Sequence, residues 1–199
     1  MSKSPDQITI SWTAPDNGGS AITGYVVTIR QSDGTTFTAD AANCNMASST
    51  STSCAIPVAT LRASPYSLAW GASVYAKVAA KNIYGTSTAS SEGNGGKIIT
   101  SPGVPLNLAN DAGVTTATQI GLTWSAPTDD GGSIVIDYKI QIDSGSGYSD
   151  LASGVTATSY TAVSLTQGTT YNFKIQSRNA YGFSAESTAV SILAAQIPA

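Results

Sequence analysis

The chain states one pattern twice. Residues 8–25 read ITISWTAPDNGGSAITGY and residues 120–138 read IGLTWSAPTDDGGSIVIDY. Further on, WGASVYAKVAAKNIYGTS (70–87) is answered by QGTTYNFKIQSRNAYGFS (167–184). A self-similarity at about half the chain length means two copies of one structural unit. The chain has 199 residues, so each copy has about 100, enough for a core of its own.

Each copy reads as strands. Ile8, Ile10 and Trp12 alternate with Thr9 and Ser11, and Ile120, Leu122 and Trp124 alternate with Gly121 and Thr123. That period of two belongs to half-buried strands. Pro15-Asp16-Asn17-Gly18-Gly19 and Pro127-Thr128-Asp129-Asp130-Gly131-Gly132 close them as turns. Tyr25, Val27 and Ile29 then share a face, matched by Tyr138, Ile140 and Ile142. Later, Val74, Ala76, Val78 and Ala80 answer Tyr171, Phe173 and Ile175. No stretch holds a 3.6-residue apolar period, so no helix is expected. The pattern predicts an all-β chain of two antiparallel β-sandwiches.

Several function classes are disfavoured. Charged residues make up 11% of the chain and the net charge is −3. No basic stripe exists to hold phosphates, so nucleic acid is not an expected partner. No apolar run approaches the roughly 18–20 residues needed to span a bilayer, so direct membrane insertion is not expected. Met1-Ser2-Lys3 leads straight into strand-like sequence without an apolar signal segment. A secreted parent would therefore make this chain an excised piece. There is no histidine, which removes the Ser–His and Cys–His nucleophile pairs. The carboxylates lie in turns rather than in an apolar cleft that could raise a pKa. The Asp-Asn-Gly-Gly and Asp-Asp-Gly-Gly turns offer oxygens to calcium, but six or more must converge, and Asp, Asn and Gly serve tight turns for backbone reasons alone. We expect no enzyme, no cofactor and no metal site. The sequence has neither an Arg-Gly-Asp tripeptide nor an Asn-x-Ser/Thr sequon. Ser48–Ser53 offers hydroxyls for O-glycans or a plain polar loop.

Four elements in order resemble the fibronectin type III family. They are a Trp closing the second strand (Trp12, Trp124), a Pro–Gly-Gly turn with a Tyr entering the third (Tyr25, Tyr138), a Leu-x-x-Gly segment (Leu68 to Gly71, Leu165 to Gly168), and an Asn-x-x-Gly-x-Ser hairpin (Asn82, Gly85, Ser87; Asn179, Gly182, Ser184). Each alone is weak, but two ordered sets are specific. The resemblance implies two seven-stranded immunoglobulin-like sandwiches, used as spacers and adhesion modules in extracellular or cell-surface proteins. Domain 1 is expected over residues 1–101 and domain 2 over 102–199.

The copies differ in three places. Tyr25 and Tyr138 are 113 apart but Gly71 and Gly168 only 97, so copy one carries 16 more residues between its third and sixth strands. That insertion holds both cysteines, Cys44 and Cys54. Given the secreted-type fold implied, a Cys44–Cys54 disulfide is the preferred reading, ahead of two buried thiols. Tyr171 stands where the family places a corner tyrosine, and Val74 replaces it in copy one. Copy two also opens with a strand around Val104–Leu108, whereas copy one reaches its Trp12 strand at once and lacks a first strand.

The joint runs through Gly93–Gly96, a last strand over Lys97–Thr100, and Ser101-Pro102-Gly103-Val104-Pro105. Its prolines predict a short, semi-rigid connection. The tail 194–199 resembles the opening of copy two, as the start of a further repeat in a longer array. The edge left at Ile8–Trp12 invites a strand from another chain, which predicts head-to-tail filaments.

Tyr84 and Tyr181, equivalent in the last hairpin of each copy, are the candidate ligand contacts. A loop-tip Tyr stacks on a sugar, anchors a protein partner, or packs against its own hairpin. Tyr148 and Phe183 read as exposed, with Trp70 and Tyr75 as further candidates. The leading function is a non-catalytic structural or adhesion spacer of a multi-domain extracellular or surface protein. Its partners are other domains of the array, other copies of the chain, surface proteins or glycans. The alternative is an accessory domain pair of a secreted carbohydrate-active enzyme, which a coplanar strip of exposed aromatics would favour.

Overall fold

A computed structural model describes residues 7–195. The residues 196–199 of the expected further repeat lie outside that range. The chain divides into two units, Met1–Ile98 and Ile99–Ala199.

Domain 1 runs β1 (Gln7–Ser11), β2 (Gly24–Arg30), β3 (Phe37–Ala39), β4 (Ser53–Pro57), α1 (Val58–Arg62), β5 (Ser73–Asn82), β6 (Gly85–Thr86) and β7 (Gly93–Lys97). One sheet pairs β1 with β4. The other joins β3, β2, β5 and β6, with β7 also paired to β5. Domain 2 runs β8 (Leu106–Asp111), β9 (Ile120–Ser125), β10 (Asp137–Asp143), β11 (Ser149–Val155), β12 (Ser159–Ala162), β13 (Thr170–Arg178) and β14 (Val190–Leu193). Its sheets are ordered β12-β9-β8 and β11-β10-β13-β14. All pairings are antiparallel, and the two sheets of each domain bury their facing sides, as expected of the sandwich.

Alternation places the cores. Tyr25, Val27 and Ile29 of β2 turn inward onto Ile56, Leu61, Tyr66, Leu68 and Ile98. In domain 2, Ile120, Leu122 and Trp124 meet Ile140, Phe173, Ile175 and Ile192. Each such aliphatic or aromatic side chain contributes about 1.5–3 kcal/mol on burial. The Trp–Tyr pair recurs edge-to-face, Trp12–Tyr25 at 5.2 Å and Trp124–Tyr138 at 5.4 Å. Among the described residues, domain 1 begins at the strand equivalent to β9, with β4 as its one partner.

The structure corrects three local expectations. A helix exists: α1 follows Pro57 and buries Leu61 completely. Five residues are too few to leave a periodic signal in sequence. The last strand of domain 1 is the glycine run Gly93–Lys97 rather than Lys97–Thr100. Its Gly96 approaches β1 closely: a Cβ there would stand 3.2 Å from Ile8 Cγ2. Ala194 belongs to domain 2, not to a further repeat: it is buried, donates to Thr169 O at 3.0 Å and accepts from Gly168 N–H at 2.9 Å.

Cys44 and Cys54 are joined by a disulfide, with Cα atoms 5.4 Å apart, inside the usual range of about 4.4–6.8 Å. The insertion that carries Cys44 packs closely on the domain. Asp40 accepts from the backbone N–H groups of Ala42 and Asn43, each at 3.0 Å, and Tyr25 N–H donates to Met46 O at 2.8 Å. The corners differ as the sequence suggests. Tyr171 Oη accepts from Thr166 N–H at 3.0 Å, whereas Val74 has no hydroxyl and Tyr66 Oη instead donates to Thr38 O at 3.4 Å.

Two serines per domain extend the ladder where no regular strand follows. Ser87 N–H donates to Ala80 O and its Oγ accepts from Ala80 N–H; Ser90 does the same with Val78. Ser184 with Ser177, and Ser187 with Ile175, repeat the arrangement. A hydroxyl thus takes a backbone carbonyl's place at each rung, and the backbone groups of β5 and β13 stay paired.

Candidate functional site

The loop ends of the two domains start from the same residues and reach different states. In domain 2, Asp129 Oδ1 accepts from Gly131 N–H at 2.9 Å and Asp130 Oδ1 from Gly132 N–H at 2.8 Å. Both glycines have positive φ, +68° and +81°, which side-chain-bearing residues rarely adopt. The segment before β8 lies against this turn. Thr100 N–H donates to Gly131 O at 2.9 Å and Gly103 N–H to Asp129 O at 2.8 Å. Asn179 Nδ2 bridges Thr100 O at 2.8 Å and Asp130 O at 2.7 Å. Ser177 Oγ donates to Gly103 O at 2.5 Å. A Cβ on Gly131 would collide with the carbonyls of Thr100 and Ser101. Residues 99–101 therefore pack with domain 2. Pro102 and Pro105 are buried.

Replacing Asn179 by Ala should lower domain 2 stability by about 1–3 kcal/mol, the cost of stranding buried polar partners. Its Oδ1 also accepts from Tyr181 N–H and Gly182 N–H, so the hairpin loosens with the linker. Hydrogen exchange should quicken at Thr100 and Gly103. Unchanged protection at both amides would show that the linker is held by other contacts.

In domain 1 the equivalent turn forms the same way, with Asp16 and Asn17 accepting from Gly18 N–H and Gly19 N–H at 2.7 and 2.9 Å. Asn82 Nδ2 donates to Asn17 O at 3.1 Å. Beside these residues is a recess of about 350 Å³, reaching Tyr84 and Ser87. All four turn side chains use an oxygen on their own backbone, the geometry of tight turns. Among the described residues no cluster of three or more His, Cys, Asp or Glu side chains forms, and no helix is long and apolar enough to cross a membrane.

The candidate tyrosines part company here. Tyr84 is 84% exposed, beside the equally bare Ile83, whereas Tyr181 is half-buried. The hairpin carrying Tyr181 is tied through Asn179 to Thr100 and Asp130, partners 79 and 49 residues away that no local motif marks. The remaining aromatics do not form an open strip. Arg30 lies 3.6 Å over the Tyr75 ring, Arg62 3.8 Å over Trp70, Lys77 4.1 Å over Phe37 and Lys174 4.2 Å over Tyr148. Lys139 and Arg178 both approach Phe183, at 5.0 and 5.2 Å. Each pair is worth about 0.5–1 kcal/mol at an exposed site. A sugar stacking on any of these faces would have to displace a cation first.

Arg178 also forms a two-point ion pair with Asp137, Nε to Oδ1 at 2.8 Å and a second contact to Oδ2. The hydrogen bonds to Asp137 push the Arg178 guanidinium pKa up. Asp33, in the turn between β2 and β3, is held down to about 2 by hydrogen bonds from the Thr36 hydroxyl and the Thr35 and Thr36 backbone. These groups order surface turns and strands; none faces a cleft.

Comparison with known proteins accords with this arrangement. The chain is 32% identical to Exoglucanase B of Cellulomonas fimi over 96% of its own length, spanning 16% of that protein. It is 40% identical to Chitinase A1 of Niallia circulans over 47% of its length, spanning 12% of that protein. The crystal structure of domains A168–A170 from titin shares the fold, with a TM-score of 0.62 and 18% identity over 96% of this chain and 59% of that one. The model of the Fibronectin type III domain matches residues 1–93 and 105–192. The chain belongs to the fibronectin type III family, as two tandem domains.

Proposed function

We propose that the pair is a non-catalytic accessory segment of a secreted polysaccharide-degrading enzyme, spacing its working domains. One observation carries the reading: the likeness to Exoglucanase B runs through both domains and their joint. Both comparisons with an exoglucanase and a chitinase cover a small part of those proteins, as an accessory segment would. The cation-capped aromatics support a spacer over a sugar-binding face. The disulfide supports a location outside the cell, where such bonds persist.

A structural or adhesion segment of a surface protein is the second reading; β1 has one strand partner, β4, among the described residues, and an edge strand suits association between chains. Binding to crystalline cellulose, chitin, glycan arrays and matrix proteins separates the two. The accessory reading expects no retention on any of them. Retention on a matrix protein, lost in Tyr84→Ala, would replace it with the adhesion reading.

A further inference from the structure

We infer that domain 1 carries a self-modification site at Asn17, whose side-chain amide is expelled by the nitrogen of Gly18 with the help of groups in its own turn. Of the asparagines in the chain, only Asn17 and Asn94 precede a glycine. A following side chain shields the backbone nitrogen that would attack, and glycine leaves it open.

The turn supplies what the attack needs. Gly18 N bonds to Asn17 Cγ, which closes a succinimide ring, and the Cγ–Nδ2 bond breaks. Gly18 N–H, which must give up its proton, donates to Asp16 Oδ1 at 2.7 Å, so a carboxylate stands on the attacking nitrogen as its base. Asn17 Oδ1 takes up negative charge as Cγ becomes tetrahedral, and it accepts from Gly19 N–H at 2.9 Å. That distance lies within the span of about 2.7–3.1 Å for an oxyanion donor. Nucleophile and target sit on adjacent residues, so the step is intramolecular. The proton taken by Asp16 leaves on Nδ2 as ammonia, and the carboxylate is restored. Water then opens the ring. Addition at the side-chain carbonyl gives aspartate at position 17, and addition at the main-chain carbonyl gives isoaspartate.

Domain 2 shows that the aspartate product fits this turn. Asp130 stands where domain 1 has Asn17, and its Oδ1 accepts from Gly132 N–H at 2.8 Å as Asn17 Oδ1 does from Gly19. Asp129 Oδ1 accepts from Gly131 N–H as Asp16 does from Gly18. Base and donor are both present there, but Asp130 has no amide to expel. Asn94 gives the opposite contrast. It lies in β7, paired with Tyr75 of β5, and must leave that ladder before Cγ can reach the next nitrogen. Asn17 lies outside any strand.

The two products differ in effect. Aspartate adds one negative charge to a net charge of −3. Isoaspartate also reroutes the main chain through Cγ and turns the carbonyl of residue 17 into a free carboxylate. That carbonyl accepts from Ser20 N–H at 3.3 Å and from Asn82 Nδ2 at 3.1 Å, so this form loosens the hairpin that carries Tyr84.

The test incubates the full chain and its variants in warm neutral buffer, following released ammonia and peptide maps that separate asparagine, aspartate and isoaspartate. Both products should accumulate at residue 17 while Asn94 persists. Asp16→Asn, which keeps an acceptor for Gly18 N–H but no base, should slow conversion about tenfold or more. Asp16→Glu, which keeps a carboxylate, should retain most of the rate. By hydrogen exchange, Asn17→Asp should match the parent at Ser20 and Tyr84, and the isoaspartate fraction should exchange faster at both. An Asn17 that persists, conversion at Asn94 as fast as at Asn17, or a rate that Asp16→Asn leaves unchanged would overturn the inference.

Discussion

Replacing Trp124 by alanine is expected to lower domain 2 stability by about 3–5 kcal/mol, the range for truncating a buried aromatic. Trp124 is 5% exposed and packs edge-to-face on Tyr138 at 5.4 Å. Small domains have only about 5–15 kcal/mol in total, so domain 2 of this variant should be close to its unfolding threshold. The same change at Trp12 should cost less, below about 3 kcal/mol, because Trp12 is less completely buried among the described residues. Denaturant titration followed by hydrogen exchange assigns each loss to its domain. Equal losses at the two tryptophans would show that Trp12 is packed as fully as Trp124.

Reduction of the disulfide should destabilise domain 1 by about 2–3 kcal/mol, the chain-entropy value for so short a loop, and leave domain 2 unchanged. Cys44 and Cys54 are ten residues apart in sequence and both buried. Cys54 lies in β4, opposite Ile10 of β1, so the bond anchors the insertion to the two-stranded sheet. The loss should be most evident as faster exchange in β1 and β4. The intact oxidised chain should weigh two hydrogens less than the reduced one. Two thiols that alkylate in the folded, oxidised protein, or equal loosening of both domains on reduction, would contradict the assignment.

Much of the scaffold was legible because it is written in side chains with period two. Trp12 and Trp124, Tyr25 and Tyr138, and the turns between them repeat in type and spacing, and burial follows the alternation. The features that escaped are carried by backbone or by contacts distant in sequence. β7 is Gly-Asn-Gly-Gly-Lys, which no propensity marks as a strand; it is held by its antiparallel pairing with β5. α1 lacks a side-chain N-cap bond and owes its place to Leu61 in the core. The serine rungs look like ordinary polar residues until Ala80, Val78, Ser177 and Ile175 are seen opposite them.

The candidate site was less legible for the same reason. Tyr84 and Tyr181 hold identical positions in their motifs, so sequence treats them as a pair. Tyr181 is half-buried where Tyr84 is exposed, in a hairpin whose Asn179 joins Thr100 and Asp130 from three distant points of the chain. The cation over each aromatic ring was likewise hidden. Arg30 and Tyr75, or Lys174 and Tyr148, become neighbours only when strands pair across a sheet.

The proposed role of the pair is that of a spacer between the working domains of a polysaccharide-degrading enzyme, with neither chemistry nor sugar binding of its own. It is tested most directly by exchanging the chain for the matching segment of Exoglucanase B. Sugar release from crystalline cellulose and turnover of a soluble substrate are then compared among parent, chimera and segment deletion. A spacer role requires that the chimera keep the parent's rate on both substrates, while the deletion loses rate on crystalline cellulose alone. A chimera no better than the deletion on crystalline cellulose, or a deletion with no loss there, would contradict it.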